Sequence, residues 1–381
     1  MKKLKIAILI NSISHLSGGL FNSVRLLVKE YVAIGMDVKV YSNNDDRAMR
    51  DSIYWTGIEL SLHKTYGPKQ FSYSPGKLKE LLSEQYDILH VHGLWQHQSF
   101  VAYQWSRITG RPLVVSPRGM LDQWAVNNSS FKKKIALKLF QDRVLKNCSI
   151  HALTVKEASS CSGLYPNTSI CVIPNGVSLP KIGEARRSEG GKKLLYFSRI
   201  NSKKGILELL DAWDKIISRQ SSEDDFDWVL WVCGWEDGIS MHRALESLSS
   251  RTRTKVVYKG GIYDDSEKDS LFRQSDAFIL PSFSEGLPMS VLEAWSYELP
   301  VIMTRECNLE VGYERHAAFE IFMDDEKLVD TLLKVLVDEE NLLRTYGKNG
   351  RLIVEECFTW RKVATSHINN YCDLLRMPGI N

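Results

Sequence analysis

The chain reads as an α/β protein built from two Rossmann-like, doubly wound domains. Three observations predict this. Its 381 residues exceed what one ordinary core holds, so two domains is the natural division. Short apolar runs bounded by turn residues alternate with helical patterns along the whole length, as expected of parallel strands covered on both faces. Near the middle the alternation stops in a stretch with Pro180, Gly183, Gly190 and Gly191 among charges, and then restarts.

Taken in order, the first half opens with a strand over Lys5–Ile10, a loop with Ser17-Gly18-Gly19, and a helical pattern from Leu20 to Ile34. Val38–Tyr41, Ile88–His92, Leu113–Ser116, Ile150–Thr154 and Ile170–Ile173 continue the strand set. This half spans 1–178, and 179–192 form the linker. The second half, 193–358, begins with a strand at Lys193–Phe197 and a helix over Gly205–Ile217. Strands at Trp228–Val232, Lys255–Tyr258, Ala277–Leu280 and Val301–Thr304 follow. Residues 359–381 form a last helix. Ligands of an open parallel sheet bind beyond its C-terminal strand ends, so a cleft between the two sheets is the expected site.

Composition excludes several classes. Hydrophobic content of 44% and charged content of 25% are those of a globular protein, and a net charge of +3 gives no signal for nucleic acid. The seven cysteines contain no Cys-x-x-Cys pair, which reads as reduced cytoplasmic thiols. The apolar run Ile6–Ile10 is too short for a signal peptide, and nothing approaches the roughly 20 apolar residues of a membrane span.

The most informative stretch runs from Pro281 to Trp295. Glu285 and Glu293 stand eight positions apart, the first in a strand-to-helix loop, the second on the helix. Pro288 suits the first helical position. The amides of Leu287, Met289 and Ser290 then crowd a helix N-terminus, which suits a phosphate. A carboxylate there repels phosphate but accepts hydrogen bonds from hydroxyls. A sugar joined to a diphosphate offers both groups.

This stretch resembles the paired-glutamate signature of family 4, retaining nucleotide-sugar glycosyltransferases with the GT-B fold. Pro288 stands where many members have Gly. The resemblance covers most of the chain and implies that Glu285 binds donor-sugar hydroxyls and Glu293 the ribose, with Gly286, Leu287 and Ser290 around the diphosphate. Arg199 and Lys204, five apart ahead of Gly205, match the family's cationic pair, able to neutralise a departing nucleoside diphosphate. A solvated basic loop is the alternative there. Gly18 and Gly19 match the N-terminal glycine loop, though a Gly pair also makes ordinary turns. Gly234 and Gly260-Gly261-Ile262 match the loops near the nucleobase. Asn175-Gly176-Val177 matches a segment at the exit of the first domain, or is a simple turn.

Arg118 stands where relatives often carry a His near sugar or acceptor, and is a candidate catalytic or acceptor-side residue. A surface arginine capping a helix is the alternative. Arginine is no base at neutral pH. His92 and Trp95 are the other acceptor-side candidates. His90 and His92 are read as pointing to opposite sides of their strand, one to the cleft and one to the core. Asp225-Phe226-Asp227 fits the Asp-x-Asp string of metal-dependent transferases, but sits in a charged loop better read as solvated. No metal or other cofactor is expected. Lys132, Lys133, Lys134, Lys138, Arg143 and Lys146 lie on an amphipathic helix, for contact with an anionic membrane or simply with solvent.

The resulting expectation is a retaining, metal-independent glycosyltransferase. It takes a nucleotide sugar donor and a glycan or polyprenyl-linked oligosaccharide acceptor, in surface polysaccharide synthesis. Its place is the cytoplasm, with a peripheral contact at the inner membrane face as an option. A nucleotide-sugar epimerase or hydrolase of the same fold, and a non-catalytic sugar- or lipid-binding protein, are the alternatives.

Overall fold

The computed structural model describes residues 3–68, 71–121, 141–183, 191–221, 226–262, 264–337 and 340–376. The chain divides into two compact units, Met1–Gly176 with Trp360–Asn381, and Val177–Thr359.

Unit one holds a seven-stranded, wholly parallel sheet. Its strands are β1 (Lys5–Leu9), β2 (Asp37–Asn43), β3 (Glu59–His63), β4 (Ile88–His92), β5 (Leu113–Ser116), β6 (Ser149–Ala152) and β7 (Ile170–Val172). They lie in the order β3-β2-β1-β4-β5-β6-β7. Unit two holds six parallel strands: β8 (Lys192–Phe197), β9 (Trp228–Cys233), β10 (Val256–Gly260), β11 (Ala277–Leu280), β12 (Val301–Met303) and β13 (Ala318–Glu320). Their order is β10-β9-β8-β11-β12-β13. In each sheet the chain winds outward from its first strand, then returns to wind the other way. The breaks lie between β1 and β4 and between β8 and β11. A break of this kind leaves a crevice at the C-terminal strand ends where the two flanking loops diverge.

Alternate residues of a strand feed opposite faces. Ile6 and Ile8 of β1 join a core with the helix Gly19–Ala33, while Ala7 and Leu9 join the core beneath the helix His97–Thr109. Leu194 and Tyr196 of β8 pack with the helix Ile206–Ser218, and Leu195 packs with Val291 and Trp295 on the other side. The helix Trp360–Leu374 belongs to unit one. Trp360, Val363, Ala364, Ile368, Tyr371 and Cys372 complete the first core.

Three differences from the sequence reading have physical causes. Strands β3 and β13 escape it because edge strands are only partly buried and carry a weak apolar signal. Strand β6 stops at Ala152, short of Thr154, because Thr154 turns to cap the next helix: its Oγ accepts the Glu157 amide. The helix after β11 begins at Met289, with Pro288 as its N-cap at ψ 97°, so the proline sits one position earlier than expected.

Candidate active site

Unit two brings the two loops of its break together. Lys204 ends a short 3-10 turn, Ser202–Lys204, in the loop after β8. Glu285 stands in the loop after β11. The Lys204 ammonium donates to Glu285 Oε1, with both side chains about nine-tenths buried. Backbone contacts lock the loops: Phe283 N donates to Lys203 O at 2.8 Å and Ser282 Oγ to the same oxygen at 3.0 Å. Gly205 follows at φ 66°, and a Cβ there would lie inside the Pro281 carbonyl. Glycine is therefore required for the approach that sets Lys204 against Glu285. From the far side Asn308 Nδ2 donates to Glu285 O at 2.6 Å, and Glu285 N donates to Glu306 O at 3.0 Å.

The remaining candidates of this unit surround that pair unevenly. Arg199 leaves β8 outward, half exposed, with Nη1 3.4 Å from Asp237 Oδ2. Glu293 lies on the helix Met289–Ser296 and accepts from Lys268 Nζ at 2.7 Å through Oε1. Among the described residues, Oε2 of either glutamate takes no hydrogen bond. Nor does any acceptor take the amides of Gly286, Leu287, Met289 or Ser290. Gly234, at φ 152°, lets the loop after β9 meet Ser198 O, where any side chain would collide. Ile262 and Leu287 pack on the core beneath. Lys268, Asn308 and Asp237 were not singled out from sequence. Each lies 23 to 38 positions from its partner, with no motif to join them.

Unit one is built differently. Gly18, at φ 58°, precedes the helix that starts at Gly19, and the space where a side chain would sit is open at both. Across the break, the C-terminal ends of β4 and β5 carry His92 and, just beyond, Arg118. Gly93 N donates to Ser116 O at 2.9 Å and holds the two loops side by side. Trp95 (φ 70°) and Arg118 (φ 57°) are both left-handed, a costly conformation for such residues and one that concentrates where function fixes the backbone.

The expectation that His90 and His92 face opposite ways is wrong. Strand side chains alternate, so residues two apart share a face. Their ring centroids are 4.1 Å apart, and both rings are fully buried. His151 and His367 join them on the same face. Burial holds all four well below the usual histidine range, with Arg118 and the neighbouring rings adding to it, and His151 falls to about 3. All are neutral at pH 7.

Neutrality fixes the proton positions. The Ile173 carbonyl only accepts, so His151 Nε2, at 2.7 Å, carries a proton and its Nδ1 accepts from Ser116 Oγ at 2.6 Å. Ser116 Oγ then accepts from His90 Nε2 at 2.6 Å. His90 Nδ1 accepts from Tyr371 Oη at 2.6 Å, and Tyr371 in turn accepts from Tyr31 at 3.0 Å. The relay runs in one direction through five side chains.

Arg118 is not the surface cap that was the alternative reading. Its guanidinium turns inward, Nη1 to Asn175 Oδ1 at 2.7 Å and Nη2 to His92 Nδ1 at 3.0 Å. Burial lowers it to about 10, with Glu157 pulling the other way, so it stays charged at neutral pH. His92 Nδ1 accepts this bond, so its proton sits on Nε2 and no lone pair is left for base chemistry.

Other expectations fall outside or beside these sites. Asp225 and the basic segment up to position 140 lie outside the described residues. Asp227 is exposed, and its carbonyl accepts the Lys192 amide. Among the described residues no group of three His, Cys, Asp or Glu side chains is placed to hold a metal ion, and no helix is long and apolar enough to cross a membrane. The seven cysteines are free.

Known proteins match along most of the chain. Residues 191–338 match the family model described as glycosyl transferases group 1, and residues 18–176 match the glycosyl transferase 4-like domain. A GDP-mannose:cellobiosyl-diphosphopolyprenol alpha-mannosyltransferase of Xanthomonas oryzae pv. oryzae is 22% identical over 82% of this chain and 80% of its own length. Among solved structures, a sucrose-phosphate synthase from Thermosynechococcus elongatus superposes with TM-score 0.73 at 19% identity, covering 98% of this chain and 100% of that one. HepE of Anabaena, in complex with UDP, superposes with TM-score 0.74 at 16% identity, covering 97% and 100%.

Proposed function

The chain belongs to the group 1 glycosyltransferases of family 4, with a 4-like N-terminal domain and the GT-B fold, and from that premise we propose that it moves a sugar from a nucleotide diphosphate sugar to a hydroxyl of a glycan or polyprenyl-linked oligosaccharide. One observation carries this reading. At the break of the unit-two sheet, a buried lysine, a carboxylate with a free oxygen and a helix start with unengaged amides converge. The ammonium and amides suit a diphosphate, and the carboxylate suits sugar hydroxyls. Glu293, with Oε2 open, suits the ribose. The Xanthomonas relative is named for a GDP-sugar donor and a polyprenyl diphosphate acceptor, and HepE is named as a UDP complex. Both names support the assignment of substrate classes.

The transfer is a retaining one. The bond from the anomeric carbon to the diphosphate oxygen breaks, and a bond from the acceptor oxygen forms on the same face. The acceptor proton passes to the leaving phosphate. Inversion asks for a base with a free lone pair, and the two candidates read from the N-terminal domain, His92 and Arg118, have none to give. Lys204, Arg199 and the helix start supply positive charge to the leaving group, so no metal is needed. A lipid-linked acceptor is consistent with a cytoplasmic enzyme peripheral to the inner membrane face.

A thermal-shift screen with UDP-, GDP-, ADP- and dTDP-sugars identifies the donor, since binding raises stability by mass action. Proton NMR of the first-formed glycoside then reads its configuration. Retention is expected. An inverted anomer sinks the mechanism, and release of free sugar or an epimer without acceptor favours hydrolysis or epimerisation.

A further inference from the structure

Lys268 is a cation at the rim of unit two that the transfer step above leaves unused. It ends the first turn of the helix Asp265–Arg273, which follows β10. Glu293 stands on the helix Met289–Ser296, which follows β11. Both helices start at C-terminal strand ends. Both pack on the same face of the sheet, through Leu271 and Phe272 from one and Val291, Leu292 and Trp295 from the other. A cation at a helix start opposes the helix dipole, so the helix itself does not favour Lys268 there. Two of the acids beside it are engaged elsewhere. Asp264 Oδ1 caps the helix, accepting the Ser266 amide at 2.9 Å and the Glu267 amide at 3.0 Å. Asp269 accepts from Arg273 Nε at 2.7 Å and from Tyr297 Oη at 2.8 Å. Lys268 reaches instead across 25 positions to Glu293 Oε1 at 2.7 Å.

The pair leaves a donor and an acceptor side by side. Among the described residues the ammonium has one acceptor for its three N–H groups, and Glu293 Oε2 has no donor. The two side chains are 31% and 20% exposed, so both stay open to a ligand. The helices do not need this pair to pack, because part-exposed ion pairs contribute little stability and the apolar contacts already join them. A lone carboxylate suits any single hydroxyl. A carboxylate bridged to an ammonium suits two neighbouring hydroxyls, one donating to Oε2 and the other accepting from Nζ. A ribose carries that vicinal pair, and a deoxyribose does not.

We propose that Lys268 is a specificity residue for the donor: it holds Glu293 Oε1 and donates to one hydroxyl of the nucleotide's ribose while Glu293 Oε2 accepts from the other. This rests on the transferase reading above, with Glu293 as its ribose contact, and specifies the donor as a ribonucleotide sugar.

The test uses the full chain and calorimetric titrations with UDP, GDP and ADP, each beside its 2′-deoxy and 3′-deoxy forms, in the parent and in Lys268→Met. Methionine keeps an unbranched apolar stem and removes the charge and the donors. For the nucleotide that binds best, the parent is expected to prefer the ribose form over either deoxy form by about 10-fold, as for a part-exposed charge-assisted bond. Lys268→Met is expected to weaken the ribose form by about 10-fold and to leave one deoxy form, which has already lost the contact, within about twofold. Equal weakening of ribose and deoxy forms makes Lys268 a structural or diphosphate residue and overturns the assignment. So does a parent that binds ribose and deoxy forms alike. The dTDP-sugars lack the 2′-hydroxyl and should rank last in the thermal-shift screen; a dTDP-sugar that ranks first overturns it as well.

Kinetics separates this role from the chemical step. With the accepted donor, Lys268→Met is expected to raise KM about 10-fold and to leave kcat within about twofold, the pattern of a contact made alike in ground and transition states. A fall in kcat with KM unchanged puts Lys268 in the chemical step and ends the proposal. The transferase reading fails separately. If no nucleotide sugar supports transfer while the Lys268-dependent preference for ribose persists, transfer falls and the specificity role stands. If transfer proceeds and Lys268→Met changes neither KM nor the preference for ribose, the specificity role falls and transfer stands. If none of the three nucleotides binds, both fall.

Discussion

At the break between β8 and β11 a lysine meets a glutamate; beside the break between β1 and β4, across the ends of β4 and β5, an arginine meets a neutral histidine. The two sheets share a winding order, so topology offers each the same crevice. What differs is how charge is settled inside it. Unit two pairs its cations internally, Lys204 with Glu285 and Lys268 with Glu293. Its loops are therefore held in register whether or not a ligand is present. Unit one gives its part-buried guanidinium neutral hydrogen-bond partners, Asn175 and His92, and sets beside it a cluster of uncharged imidazoles. The same fold thus yields one rim joined by ion pairs and one joined by neutral hydrogen bonds.

The largest effect should come from breaking the completed rim. Glu285→Ala is expected to lower kcat by about 100- to 1000-fold, a loss typical of a group stabilising the transition state. Circular dichroism and melting should show an intact fold. Turnover near the parental level would remove Glu285 from the site.

Acid should separate the two units next. The unfolded chain protonates its histidines near pH 6.5, whereas His90, His92, His151 and His367 stay neutral well below that when folded. Stability is therefore fully present above pH 6.5 and falls as pH drops below it, by up to about 1.4 kcal/mol per pH unit for each histidine. In hydrogen exchange between pH 7 and 5, β4–β6 should lose protection ahead of β8 and β11. Parallel losses in both sheets would show that the histidine cluster does not set the acid response.

A smaller contrast lies in the glycines. Gly205→Ala drives a Cβ into the Pro281 carbonyl and should cost more than about 1 kcal/mol, with activity falling alongside. Gly18→Ala meets open space and pays only for its positive φ, about 1 kcal/mol. Denaturant melts of the two variants should rank in that order. Least of all, EDTA should leave turnover within about twofold, since fixed cations serve the leaving group. Loss on chelation, restored by manganese or magnesium, would return Asp225 and Asp227 to consideration.

How much of this could be read from the chain follows from the range of each interaction. The Glu285 loop was legible because its signal is local: an apolar strand, a proline, a helix with a second glutamate. The closing of Lys204 onto Glu285 spans 81 positions, and only resemblance joined the two in advance. Lys268 and Asn308 carry no local mark at all. The histidine relay was half visible. His90 and His92 stood out, but misplacing their faces hid the cluster, and His151 and His367 arrive from a separate strand and a distant helix. Strands β3 and β13 were lost because half-buried edges blur the alternation. Arg118 stood out as a candidate, with a surface cap as the alternative, because nothing nearby in sequence tells that its guanidinium turns toward His92 and Asn175.

The final helix has a consequence for how the protein is made. Unit two is continuous, and its last residue, Thr359, leaves the ribosome before the helix Trp360–Leu374 is complete. Unit one is begun first, yet Ile368, Tyr371 and the rest of its first core come from that helix, as does the hydroxyl that donates to His90. Until the last residues emerge, the nascent N-terminal sheet carries an apolar face that the helix Gly19–Ala33 covers only in part, the condition in which chains aggregate or recruit chaperones. Premature termination ahead of Trp360 would therefore spare the half translated last and cripple the half translated first.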